Sequence, residues 1–548
     1  MTQQSATQQS APETRTSIKE TLTSILIALV IAFTVRGFVI EAFVIPTGSM
    51  APTLLGANML VRSKETGYEW TVGPEATANG GTMVPPTLTA TDIMSSQRVS
   101  QSRPQVRAGD RIFVLKYLDG VYEPKRFDVV VFKNPTDPTQ NYIKRLVGLP
   151  GQQLALVDGD VFFRTPQASD PKDANPWTLP GWQCAVKPFR TQLDMWQDVA
   201  DTHYAPLGGF GQGKQSPWKM LNVGVGGDNW RAQPNGSMTF QGSDASSLFW
   251  DAPDRLSDRY SYNEYSESLR GATRYPVSDL RLQLFVTPQR DTFSATANLW
   301  ARGHDFEVAI QGSDVKVRSR TSNAGELTGA APLEVGEWKE LGSFARPAIK
   351  AGTPLAIDVW FVDQSIQVFE GDTPLGAPIQ LGWSPDERLR HAARMTAADA
   401  MASPIRLWNP AEYRRPKVQW DFAGGPFTIE RARVQRDIYY RPVSVFSARQ
   451  TRMGGPIETL ELPGFAISPQ TTMTLTQTQY FVCGDNSPAS LDARHWPAPD
   501  PLVAQIDPTL NVVPKALMIG RAFFVYFPAW ERRFGVPIPD VGRMRWIW

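Results

Sequence analysis

Hydrophobic and polar positions along the chain follow three patterns. Residues 21–35 read TLTSILIALVIAFTV without a charge, which predicts a helix that is apolar on every face. The run is short against the roughly 20 residues that cross a bilayer. Counting 38–40, with Arg36 snorkelling to the interface, makes the length adequate. We expect a retained transmembrane anchor over 17–40 behind a polar tail over 1–16. A cleavable secretory signal is the rival reading, but Val35-Arg36-Gly37 is marginal as a cleavage site and Ile40-Glu41-Ala42 is poor.

The second pattern is one of short β-branched runs bounded by Pro, Gly or Asp: DRIFVLKYL, FDVVVFKNP and YIKRLVGLPGQ, each read as a strand. Between the anchor and these strands, residues 64–107 are rich in Thr, Ser, Gly and Pro without clear periodicity. We read them as an irregular insertion.

The third pattern occupies 166–464, where alternation becomes clean. It shows in LRLQLFV, DFEVAIQG, DVKVRSR, LAIDVWFVDQSIQVFEGD and FTIERARVQRDIYYR. Evenly spaced short strands predict a β-sandwich over about 225–440, with a hairpin turn at Val362-Asp363-Gln364-Ser365. From about Gln470 the earlier pattern returns in QTQYFVCGDNSPASLDAR and IGRAFFVYFP. The expected fold is therefore mainly β: one domain made of 41–165 and 465–548, interrupted by an inserted β-rich region at a surface loop.

Composition narrows the chemistry. The 548 residues carry a net charge of +1, which gives no case for a nucleic-acid partner. The two cysteines, Cys184 and Cys483, are read as separate thiols in preference to a disulfide, and without a CxxC pair no thiolate zinc site is expected. Of the four histidines, none lies in a motif, and no G-x-S-x-G elbow is present. His495 lies near a motif and stays open as a base, but the histidine route is poorly supported. A lysine serves only when burial lowers its pKa enough to leave it neutral. Lys144, in YIKRLVGLPG, has apolar neighbours that suit this. Alone, it would be one more strand lysine facing solvent.

Other segments change that weighting. Ile45-Pro46-Thr47-Gly48-Ser49-Met50-Ala51-Pro52-Thr53-Leu54 resembles the nucleophile segment of type I signal peptidases, the membrane-anchored serine–lysine endopeptidases. Arg126-Phe127-Asp128-Val129-Val130-Val131-Phe132 is similar to their central strand, and the Lys144 segment to that carrying their general base. Gly484-Asp485-Asn486 with Ser490, Asp492 and Arg494 resembles their last motif, although Ala493 stands where Ser is usual. Gly520-Arg521-Ala522-Phe523 resembles the closing strand.

The resemblance covers roughly 15–165 and 465–530. It implies Ser49 as nucleophile and Lys144 as general base, with Ser490 orienting the amine. The Ser49 N–H and the Thr47 hydroxyl would form the oxyanion hole. Asp492 and Arg494 are expected as a supporting ion pair, against an equally weighted reading as a solvent-exposed contact. Asp128 and Arg145 are expected to be architectural. No cofactor and no metal are implied. The partners implied are preprotein signal peptides with small residues before the cut, and the lipid bilayer. The location implied is single-pass in the cytoplasmic (inner) membrane, with the catalytic domain on the extracytoplasmic side.

The insertion is similar in pattern alone to laminin-G or concanavalin-like modules. Its ligand would be a glycan or a protein, and Trp300, Trp338 and Trp360 are the tryptophans to consider for sugar stacking, against the commoner reading as core. A competing function is a catalytically idle scaffold that presents this sandwich at the cell surface.

Overall fold

The computed structural model describes residues 18–548 except 77–81, 118–121, 208, 210–215, 223–228, 266–273, 323–334, 448–458, 529 and 534–535. The polar tail, 1–16, lies outside the described residues.

The first element is a helix, Ile18–Phe38, none of whose side chains is buried. Its 21 residues span about 30 Å at 1.5 Å per residue, close to the hydrocarbon thickness of a bilayer. The expected anchor ran to residue 40, but the helix stops at Phe38. Gly37 weakens its last turn, and the β-branched pair that follows enters a sheet, where Ile40 faces Leu115. Lys116 sits over this end, its Nζ donating to the Gly37 carbonyl at 2.9 Å and pairing with Glu41 at 3.0 Å. A cation there complements the helix dipole.

The main sheet runs in the order Ile40–Val44, Arg111–Lys116, Met518–Phe527, Val129–Asn134, Asp137–Gly148, Gln479–Cys483, Val513–Pro514. Strands from before and after the long central region therefore share one sheet, with Met518–Phe527 set between two of the earlier strands. One of its faces buries Ile45, Met50, Leu54, Ile112, Val114, Val129, Val131 and Val525. The other face buries Val130, Phe132, Leu146, Phe481 and Val482. Period-2 alternation of β-branched residues produces this two-sided burial.

A second sheet, Gln183–Cys184, Asp160–Arg164, Gln153–Val157 and Met473–Thr474, lies where the chain leaves for the central region and returns. The central region is a sandwich of one nine-stranded and one seven-stranded sheet around a core that includes Leu282, Leu284, Val308, Val359, Trp420 and Val434. The hairpin at 362–365 has Asp363 at φ 49° and Gln364 at φ 56°, the left-handed pair that matches strand twist. Ion pairs bind the sandwich to the second sheet. Asp158 accepts from Arg302 at 2.8 Å and Arg388 at 2.9 Å, and Arg388 also reaches Asp160 at 2.7 Å.

The stretch 64–107 is not irregular. Glu69–Val72 and Val106–Arg107 flank Asn58–Arg62 in a three-stranded sheet, and Thr87–Thr91 pairs with Arg98–Ser102. Met59, Val61, Trp70, Val72, Leu88 and Ala90 form a small core of their own. Its alternation runs through Thr and Ser rather than charged residues, which hid the period. Cys184 and Cys483 are free thiols on different sheets.

Candidate active site

Beyond the strand Ile40–Val44, a short 3-10 turn spans Gly48–Met50, closed by the Ala51 N–H on the Gly48 carbonyl at 3.1 Å. Met50 and Leu54 are sunk in the core below, so the turn holds Ser49 half-exposed at its crest. Lys144 lies on Asp137–Gly148 opposite Val130 and is only 4% exposed. Its Nζ donates to Ser49 Oγ at 2.8 Å and to the Ile143 carbonyl at 3.1 Å. Among the described residues no carboxylate pairs with it.

Burial lowers the Lys144 pKa from its ordinary 10.5 to about 8, against the opposing pull of Asp492 and Asp485 and with a smaller push from Arg494. An amine in this state is partly neutral near pH 8, and a neutral amine accepts a proton from a hydroxyl 2.8 Å away.

Thr47 precedes the turn, is exposed, and makes no side-chain hydrogen bond to it. Ser490 is fully buried, and its hydroxyl has no hydrogen-bond partner among the described residues. It therefore does not bond Lys144 here, although it is close to the nucleophile turn. A Cβ placed on Gly484 would lie 2.2 Å from Ser490 Oγ and 2.5 Å from the Ser49 carbonyl oxygen.

Asp492 and Arg494 are both fully buried and joined by two bonds of 2.9 and 2.8 Å. The solvent-exposed reading of that pair does not hold. Arg494 holds the Asp492 carboxyl down to about 2, against its burial. The carboxylate also accepts from the Gly484 N–H at 2.8 Å.

Arg145 is equally buried and pairs with Asp485 at 2.7 Å, while both contact Thr53 of the nucleophile segment. Its remaining bonds go to the main-chain oxygens of Phe127 and Trp548. Asp128 pairs with Arg521 at 3.1 Å and accepts from the Lys125 N–H at 2.8 Å. Burial raises its carboxyl pKa, with Arg521 pulling it back down.

Two contributors escaped the sequence reading of individual roles. Asp485 is the counter-ion of Arg145, a pairing that the burial of the guanidinium requires but that has no local signal in the sequence. Asn486 holds the nucleophile turn, its N–H on the Ser49 carbonyl and its Nδ2 on the Gly48 carbonyl, each at 3.0 Å. The Ser49 side chain bonds Lys144 and, among the described residues, no histidine.

A family model described as "Signal peptidase, peptidase S26" matches residues 18–80 and 87–208. Residues 18–208 are thus similar to the signal peptidase S26 family. Signal peptidase I of Rickettsia typhi is 28% identical over 152 residues, 28% of this chain and 45% of that protein. Signal peptidase I of Rickettsia bellii is 28% identical over 141 residues, 26% of this chain and 37% of the relative. The chain thus spans less than half the length of these curated relatives.

Among solved structures, a carbohydrate-binding module, CBM66, from Bacillus subtilis aligns over 39% of this chain and 91% of its own, at 8% identity and a TM-score of 0.22. The laminarinase from Rhodothermus marinus aligns over 44% and 98%, at 11% and 0.25. No function is carried across at such scores.

In the central region, Trp360 is buried against Phe189, Trp196 and Phe369, which removes it as a stacking platform. Trp338 lies half-buried against the guanidinium groups of Arg318 and Arg320. Asp160, Asp363 and Asp437 bring carboxylate oxygens within 4.8 Å of one another. Lys187 meets Asp363 and Asp437, and Arg388 meets Asp160, so side-chain cations already occupy the place a metal would take.

Proposed function

We propose that this chain is a membrane-anchored serine endopeptidase that removes N-terminal signal peptides from exported preproteins. Ser49 attacks the scissile carbonyl, and neutral Lys144 takes its proton and returns one to the leaving amine. The Ser49 N–H and the Thr47 hydroxyl receive the developing oxyanion. Ser490 orients the lysine: a neutral amine that accepts from Ser49 and donates to Ile143 has one N–H left, and the unpartnered Ser490 hydroxyl is the candidate acceptor for it.

The observation that carries the reading is the 2.8 Å contact between Ser49 Oγ and a buried lysine that has no counter-ion among the described residues. A buried, unpaired lysine costs stability and is retained where its chemistry is used. The helix Ile18–Phe38 supports a single-pass anchor in the cytoplasmic membrane, with the S26 domain on the extracytoplasmic face. Ser49 follows Phe38 by eleven residues, a reach of at most about 40 Å. A signal peptide cut just beyond its own apolar helix offers its scissile bond within that distance.

The test is cleavage, by detergent-solubilised protein, of a preprotein whose signal ends in Ala-x-Ala. The wild type should cut, and Ser49→Ala and Lys144→Ala should not. Full cleavage by either variant would refute the mechanism.

A further inference from the structure

The turn that carries Ser49 is gripped by a segment of the inserted region. Tyr262, in the short turn Ser261–Asn263, lies over Gly48 so closely that a Cβ there would be 2.1 Å from its ring. Its hydroxyl donates to the Ala57 carbonyl at 2.8 Å, and its carbonyl accepts the Gly73 N–H at 2.7 Å. Next to it, Asn263 and Asn486 face each other as a reciprocal amide pair. Asn263 Nδ2 donates to Asn486 Oδ1 at 2.6 Å, and Asn486 Nδ2 donates back at 2.8 Å. The second hydrogen of Asn486 Nδ2 goes to the Gly48 carbonyl.

We infer that Asn263, supplied by the insertion, is a positioning residue for the nucleophile turn and sets the direction of the Ser49 N–H. This rests on the role proposed above for that N–H. The Gly48 carbonyl and the Ser49 N–H belong to one trans peptide, so they point opposite ways. Drawing the carbonyl onto Asn486 aims the N–H away from it, toward the open side of the turn where the oxyanion forms. Asn486 is 1% exposed, and among the described residues Asn263 is the partner of its Oδ1. Removing Asn263 leaves that buried acceptor unmet and frees the amide to rotate. The insertion is thus built into the active site.

The test uses the full chain in the detergent cleavage assay. Loss of an oxyanion donor outright costs about 10²–10³ in kcat, and loosening one should cost about tenfold or more. Asn263→Ala should lower kcat by that factor, with KM and the pH dependence of the wild type retained. The double variant Asn263→Ala/Asn486→Ala should be no slower than Asn486→Ala alone, because the first residue acts through the second. Asn263→Asp keeps the size and the acceptor but not the donor, and should fall between wild type and alanine; it is the variant to use if alanine does not fold. Wild-type kcat in Asn263→Ala or Asn263→Asp, or additive losses in the double variant, would overturn the inference. Ser49→Ala in the same assay separates the two readings. Its full activity would remove the proposed nucleophile and this inference together. Its inactivity alongside a fully active Asn263→Ala would remove this inference alone.

Discussion

Replacing Lys144 by methionine should make the protein inactive and more stable. Methionine has nearly the same length and fills the same buried slot without a charge. Burial takes the lysine from 10.5 to about 8, and at 1.36 kcal/mol per unit its protonated form costs about 3 kcal/mol in the folded state. The variant loses the bonds to Ser49 and Ile143, worth about 1 kcal/mol each, for a net gain of about 1 kcal/mol at pH 7. The sign follows from proton counting. A depressed folded pKa means that the unfolded chain binds more protons between about pH 8 and 10.5, so wild-type stability rises with pH across that window. The lysine's cost falls below about 1 kcal/mol at pH 10, where the advantage of methionine should vanish. Thermal unfolding in detergent at pH 7 and pH 10 measures both ends. A methionine variant no more stable than wild type at pH 7, or one whose advantage is the same at both pH values, would refute the account of Lys144 as a strained base.

Other expectations are narrower. Cleavage at saturating preprotein should rise with pH through about 8, as Lys144 loses its proton, and a pH–kcat profile that is flat between 6 and 9 would contradict this. Thr47→Val should lower kcat by about 10²–10³ while Thr47→Ser retains it, since only the serine keeps the donor. Gly484→Ala places a methyl 2.2 Å from Ser490 Oγ and should cost about 10²-fold in cleavage through displacement of the turn, a loss read directly in the preprotein assay. Arg145→Ala leaves Asp485 buried without its cation and should destabilise by about 3–5 kcal/mol, seen as a lowered unfolding midpoint.

The strand pattern was legible because the sheets bury one or both faces of each strand, and burial writes its period into the sequence. The apolar helix was legible for the same reason, although its end was not. Gly37 and the β-branched pair Val39-Ile40 hint at an end, but the exact point depends on Lys116 and Leu115, which lie far along the chain. The strands within 64–107 were hidden because Thr and Ser, residues common in turns, alternate there with apolar residues such as Val72, Leu88 and Ala90. Ser49 and Lys144 could be named from motifs, since their chemistry requires those residue types. The pairing of Arg145 with Asp485, and of Asn263 with Asn486, could not be read, because each joins positions hundreds of residues apart through geometry that only the folded sheets supply.

That separation has a kinetic side. Arg145 and Asp485 are 340 positions apart, and Thr53 and Asp485 are 432 apart, so the ends of a very long loop must close before this cluster forms. Contacts of such high order are among the slowest to form in folding. In vectorial synthesis the apolar helix emerges long before the Gly484–Arg494 segment. On the proposed mechanism the nascent polypeptide is tethered to its membrane well before it can hydrolyse a peptide bond, and the delay is set by the length of the sandwich that intervenes.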